Sequence, residues 1–163
     1  MADPADSRAI GRHGDVDPAL ETVVVGRDGT FLYIGLPERD PTDASSLRLP
    51  LRIEAGGLVA TATLELHGWG GWIPGLIGYA DDLAGSWQGW DGEKAWRDDS
   101  GAVAFAARHN RMNTVSLTVT LRPDFGAMLP GGWRSEIVVP IEPGVLGDLA
   151  AGVRSLFRAM PDA

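Results

Sequence analysis

Apolar and polar positions change period twice along this chain, and those changes outline its elements. Thr22 to Gly26 ("TVVVG") and Thr30 to Gly35 ("TFLYIG") are β-branched or aromatic runs on either side of Arg27-Asp28-Gly29, the signature of a hairpin. Beyond a Pro/Asp/Ser loop at 37–46, Leu47 to Glu54 and Leu58 to His67 form two more strands joined across Gly56-Gly57. In the second, Leu58, Ala60, Ala62, Leu64 and Leu66 alternate with Val59, Thr61, Thr63, Glu65 and His67, the period of a half-buried strand. From Ile73 the period lengthens. Leu76, Ile77, Ala80, Leu83, Ala84 and Trp87 fall at helical spacing, with Pro74 where a first turn tolerates it, so a helix is predicted over 74–86 with Trp87 as its last core-facing residue.

Alternation then resumes in Ala102 to Arg108, in Val115 to Arg122 and in Trp133 to Ile141, the first two joined by turn residues His109 to Asn113. Pro143 opens a closing helix with Val145, Leu149, Val153, Leu156, Phe157 and Met160 on one stripe. Hairpin-sized steps between strands, with one helix in the middle and one at the end, predict an α+β fold. The expected form is a single antiparallel sheet of about six to seven strands with both helices packed on one face. Residues 1–20 lack an apolar period and read as a flexible tail, and 21–160 read as one domain.

Composition narrows function mainly by exclusion. The 163 residues suit one core, and a net charge of −8 repels nucleic acid and anionic membranes while favouring a basic protein partner. The absence of cysteine removes disulfides, thiolate metal sites and a cysteine nucleophile. Neither a signal peptide nor a membrane-length apolar run is visible, so a cytoplasmic location is expected. His13, His67 and His109 are far apart and none has metal-ligand spacing, so neither a metal nor a cofactor is expected.

The search for a reaction finds no catalytic residues. "GSWQG" at Gly85 to Gly89 has Ser86 one position away from a nucleophile elbow, and "GWGGWIPG" lacks the lysine and glycine spacing of a phosphate loop. Asp81 and Asp82 are adjacent on a helix, so their side chains diverge by about 100° and do not act as a hydrolytic pair. Asp91 and Glu93 flank Gly92 in an expected turn.

Tryptophan usage is the unusual feature, since five of the six fall between Trp69 and Trp96. Such a set serves either as packing around the middle helix or as an exposed surface for ligands and partners. The residues placed in a binding role are Trp69, Trp72, Trp90, Asp91, Glu93 and Trp96, with Trp87 and Gly92 structural. Trp90 and Trp96 are expected to face each other across a tight turn.

"YADDLA", then "W-x-G-W-D-G-E-x-x-W", "V-x-L-x-V-x-L-R-P" and the terminal "L-x-x-L-A-x-x-V-R-x-L-F" resemble DUF6228, a family of small bacterial proteins of unknown function. The resemblance covers roughly residues 47–159, with the tryptophan motif its most specific part, and it implies a fold without assigning catalytic residues. In order of elements the chain is also similar to immunity proteins that neutralise contact-dependent bacterial toxins. The leading expectation is therefore a non-enzymatic binding domain, an immunity-like inhibitor of a basic toxin or another basic partner. A glycan- or small-ligand-binding module built on exposed tryptophans is the alternative, and an enzyme with an unrecognised site the third.

Overall fold

A computed structural model of the chain describes residues 22–43, 45–67, 72–122 and 132–158, without the side chains of residues 67 and 72–74. The tail expected over residues 1–20 lies outside the described residues. The fold opens with β1 (Val23–Arg27) and β2 (Thr30–Ile34), paired antiparallel from Val23↔Ile34 to Arg27↔Thr30. At the turn between them Asp28 and Gly29 have φ of 56° and 76°, the left-handed pair whose twist matches that of the flanking strands.

Three strands complete this first sheet: β3 (Glu38–Arg39), β4 (Ser46–Ala55) and β5 (Leu58–His67). β4 is its spine. One side of β4 pairs with β2 and, further along, β3, while the other pairs with β5 from Ser46↔His67 to Ala55↔Leu58.

Helix α1 (Trp72–Gly85) carries the chain to a second sheet. There β6 (Lys94–Arg97), β7 (Val103–His109), β8 (Val115–Leu121) and β9 (Ser135–Ile141) run antiparallel in the order β6-β7-β8-β9. Buried Asp98 organises the β6–β7 turn, its Oδ1 accepting from Val103 N at 2.7 Å and its carbonyl from Gly101 N at 3.0 Å. A 3-10 turn over Pro143–Val145 then leads into α2 (Leu146–Arg158).

The expected α+β class and antiparallel pairing stand, but the single sheet of about six to seven strands does not, because there are two sheets, of five and four strands. Alternation marks which residues face a core, and it has the same period whether those residues belong to one sheet or to two. β3, with two residues, and β6, with four, fall in segments whose local pattern predicts only loop and turn. The two helices pack on each other, α1 also against β6 of the second sheet and α2 against β1 of the first.

One continuous core results. Leu47, Leu49, Leu51 and Ile53 of β4 join Val115, Leu117, Val119 and Leu121 of β8, and are packed with Leu76, Ala80 and Leu83 of α1 and Leu149, Val153 and Leu156 of α2. Where β1 passes β9 the backbones come close. Gly26 has φ of 134°, and a Cβ there would lie 2.1 Å from Thr30 O and 2.9 Å from Val139 Cγ1, so only glycine fits.

Candidate functional site

Helix α1 stops at Gly85, and the chain then tightens. Trp87 N donates to Ala84 O at 3.4 Å and Gly89 N to Ser86 O at 2.8 Å, three-residue steps that leave the 3.6-residue period. Trp87 is therefore turned off the apolar stripe it extends in the sequence, and it is 54% exposed. This corrects the expectation of a core-facing Trp87. Gly89 and Gly92, with φ of 131° and 77°, take backbone conformations that L side chains rarely adopt, and they shape the loop that returns to β6.

Opposite this loop stands the β7–β8 turn, held by side chains within it. His109 Nδ1 accepts from Arg111 N at 2.9 Å, and Asn110 Oδ1 accepts from Met112 N at 2.8 Å and Thr114 N at 3.0 Å. Asn110 N also donates to Thr114 O at 3.0 Å. These bonds hold Arg111 and Asn113 at φ of 57° and 70°, which costs about 1–2 kcal/mol per residue for L side chains. The consequence is a preformed turn that presents Met112 with 82% of its surface exposed.

Loop and turn are docked on each other. The Trp90 and His109 rings pack edge to face with centroids 5.3 Å apart, and Gly89 lies so close to the imidazole that a Cβ would sit 3.6 Å from Nδ1. Arg111 pairs with Asp91, and Arg108 Nε donates to Glu93 Oε2 at 3.0 Å. Beneath them Lys94 Nζ donates to Asp82 Oδ1 at 2.5 Å and Ser86 Oγ at 2.8 Å, and sits 5.5 Å from the centre of the Trp90 ring. Tyr79 O–H donates to Lys94 O at 3.2 Å. Burial above all, then the charges of Glu93 and Asp82, push the Tyr79 phenol well above its ordinary value.

Among the described residues, Trp90 Nε1 and His109 Nε2 are buried without a hydrogen-bond partner. Because Nδ1 accepts from Arg111, a neutral imidazole carries its proton on Nε2, so both orphan atoms are donors. In an edge-to-face pair one ring's edge meets the other's face, so an aromatic face serves at most one of the two donors as a weak acceptor.

Of the residues singled out in the sequence, Trp90, Asp91 and Glu93 meet here, with Gly92 shaping the loop and Trp87 exposed beside it. Trp96 belongs elsewhere: it stacks on Phe105 at 5.4 Å, and Gly75 lies against it, so it joins β6 to α1 and β7. Trp90 and Trp96 thus pack on different partners, His109 and Phe105, not on each other as expected. Trp69 lies outside the described residues, as does the side chain of Trp72, the first residue of α1. Sequence reasoning missed Lys94, His109, Arg111 and Met112. The only signal for the last three was the turn composition of His109 to Asn113.

Ser86 Oγ meets Lys94 Nζ, but that ammonium also donates to Asp82, so the lysine serves Ser86 as a donor and not as a base. Asp91 and Glu93 are each held by an arginine. Among the described residues no group of three or more His, Cys, Asp or Glu is placed to hold a metal, and no helix is long and apolar enough to cross a membrane.

No curated protein matches the chain. The model of a family of unknown function, DUF6228, matches residues 25–160, and so begins within β1, further upstream than the resemblance carried by the tryptophan motif. Running from β1 through α2 and including both sheets and the Trp87–Trp96 motif, this match places the chain in DUF6228, the family to which it belongs.

Proposed function

We propose that the protein is a non-enzymatic binding domain whose contact surface is the loop at 86–93 together with the turn at 109–114. The observation that carries this reading is the side-chain-capped turn, which spends conformational energy to present Met112 at 82% exposure next to Arg111. Trp87, two residues before Gly89 and 54% exposed, supplies an aromatic anchor beside it. Tryptophan, methionine and arginine are enriched in the cores of protein interfaces, and a surface fixed before binding loses little entropy on docking.

The partner is a basic protein. A chain of net charge −8 steers such a partner into encounter, while within the surface Asp91 is paired with Arg111. In this reading the protein occludes a basic toxin or enzyme, as an immunity protein does. The test is calorimetric titration against the basic proteins encoded beside it. Trp87→Ala and Met112→Ala should each weaken binding by at least about tenfold, a loss typical of anchor residues, and rising salt should weaken it further. Absence of binding to every such protein, or binding untouched by both substitutions, refutes the reading.

A further inference from the structure

The contact between the loop at 86–93 and the turn at 109–114 depends on which protons the His109 imidazole carries. Its Nδ1 accepts from Arg111 N at 2.9 Å, and its Nε2 is buried without a hydrogen-bond partner among the described residues. A neutral imidazole fits this arrangement with its proton on Nε2, whereas an imidazolium carries a proton on both nitrogens and keeps no lone pair to accept with. A proton on Nδ1 points at the Arg111 N–H. The bond that helps keep Arg111 at φ of 57° is then replaced by two donors facing each other. Asn110 Oδ1 already accepts from Met112 N and Thr114 N, so neither of its lone pairs is left to take the place of Nδ1.

The charges around the ring are committed elsewhere. On its own hairpin the neighbours are Arg108 and Arg111, and from the opposing loop Glu93 pairs with Arg108 and Asp91 with Arg111. On β6 Lys94 pairs with Asp82 of α1. Past Thr114, to which it donates, Arg27 of β1 is held between Asp28 and Glu142. Each of these carboxylates has a cation beside it already. The face of Trp90 is a poor refuge for an imidazolium, because the Lys94 ammonium lies 5.5 Å from the ring centre and a second cation on the same indole is repelled by the first. Withdrawal from the loop, by contrast, hydrates the imidazolium and gives the orphan N–H of Trp90 access to water.

We infer that His109 is a proton-operated latch: its neutral imidazole docks the loop on the turn, and protonation releases the ring from Arg111 N and from Trp90 and opens the surface between them. The sign follows from the bonds. Docking is complete while the imidazole is neutral and is lost as pH falls through its protonation. As regulation of the proposed contact surface the latch rests on that reading, since release of Arg111 displaces Met112 and lets a bound partner go in acid. As a property of the free protein it stands without any partner.

The test is a pH titration of the free, 15N-labelled protein by NMR between about pH 8 and pH 5, the interval in which imidazoles ordinarily change charge. The His109 ring, the Arg111 amide and the Trp90 indole N–H should shift together with one midpoint. Relative to free tryptophan at the same pH, the Trp90 indole N–H should exchange with water at least about tenfold faster at the acid end than at the alkaline end. His109→Asn keeps a side-chain oxygen two residues before Arg111, where asparagine caps turns, and removes the imidazole, so its Arg111 amide should hold its position across the interval.

An imidazole that titrates while Arg111 and Trp90 stay still overturns the inference, as does one that keeps its charge throughout. An Arg111 response that survives in His109→Asn overturns it too, by assigning the change to the neighbouring carboxylates. Should His109→Asn fail to fold, the titration of the parent protein decides alone. Absence of every partner refutes the contact surface and leaves these titration curves as they are, so the two proposals fail separately.

Discussion

Lys94→Met is the sharpest probe of how the tryptophan loop is held. The substitution keeps a side chain of similar length while deleting the ammonium, and the Lys94 side chain is only 20% exposed. Contacts with three partners, Ser86, Trp90 and Asp82, are lost. The charge-assisted bond to Ser86 Oγ is worth about 1.5 kcal/mol, and the approach to the Trp90 ring about 1 kcal/mol. The pair with Asp82 contributes only about 0.5 kcal/mol, since the aspartate is 57% exposed and rehydrates once its partner is gone. Relief of the ammonium's own desolvation returns about 1 kcal/mol, leaving a net loss of about 2 kcal/mol. In a chain of this size that lowers the melting temperature by about 4–8 °C. Urea unfolding followed by tryptophan fluorescence measures the loss. A double-mutant cycle with Asp82→Asn should return a coupling near 0.5 kcal/mol. Arg111→Met is the control, because its pair is 68% and 87% exposed and its loss should stay within about 0.5 kcal/mol. A Lys94→Met loss no larger than that of the control would refute the reasoning.

Two further outcomes are expected. Gly26→Ala combines a positive φ with a Cβ 2.1 Å from Thr30 O, and should cost about 3–5 kcal/mol, whereas Gly29→Ala, with φ of 76° and no atom within 4 Å of its Cβ, should cost about 1 kcal/mol; equal losses in urea unfolding would show that Gly26 is not closely enclosed by β2 and β9. Burial raises both tyrosines, Tyr33 and Tyr79, above the ordinary value of 10.0. Between pH 10 and 11 phenolate absorbance of the folded protein should thus lag behind that of the denatured chain. Because the unfolded phenols ionise first, stability is fully present below pH 10 and falls as pH rises above it, by at most about 1.4 kcal/mol per pH unit for Tyr79. A normal titration of both tyrosines would show that Tyr79 is not enclosed.

Local pattern carried the long elements of this fold because their residues each obey one period throughout. β4, β5, β7, β8 and β9 alternate, α2 keeps its stripe, and the Asp28-Gly29 and Gly56-Gly57 turns take the left-handed conformations their residues favour. Division into two sheets had no such signature, since it depends on which strands meet after the segments that separate them. β6 shows the limit: Lys94, Ala95, Trp96 and Arg97 form a strand because β7 offers a ladder and Phe105 a ring to stack on, and both lie beyond the reach of a local pattern.

The candidate surface was half visible for a related reason. Asp91-Gly92 announced a turn and Trp90 an aromatic next to it, but their partners His109 and Arg111 come from a different hairpin, where a histidine and an arginine are ordinary turn residues. Trp87 is the more instructive case. Leu76, Ala80 and Leu83 are buried, and helical counting carries that stripe on to Trp87, yet the count holds only while the helix lasts. Gly85 ends α1, and Trp87 N bonds to a carbonyl three residues back, which shortens the turn and swings the indole outward. Helix termination, not hydrophobicity, thus decides which side of the domain receives this tryptophan. The same termination frees the loop to dock against His109, so the exposed Trp87 and the half-buried edge-to-face pair of Trp90 and His109 are two results of one event in the backbone.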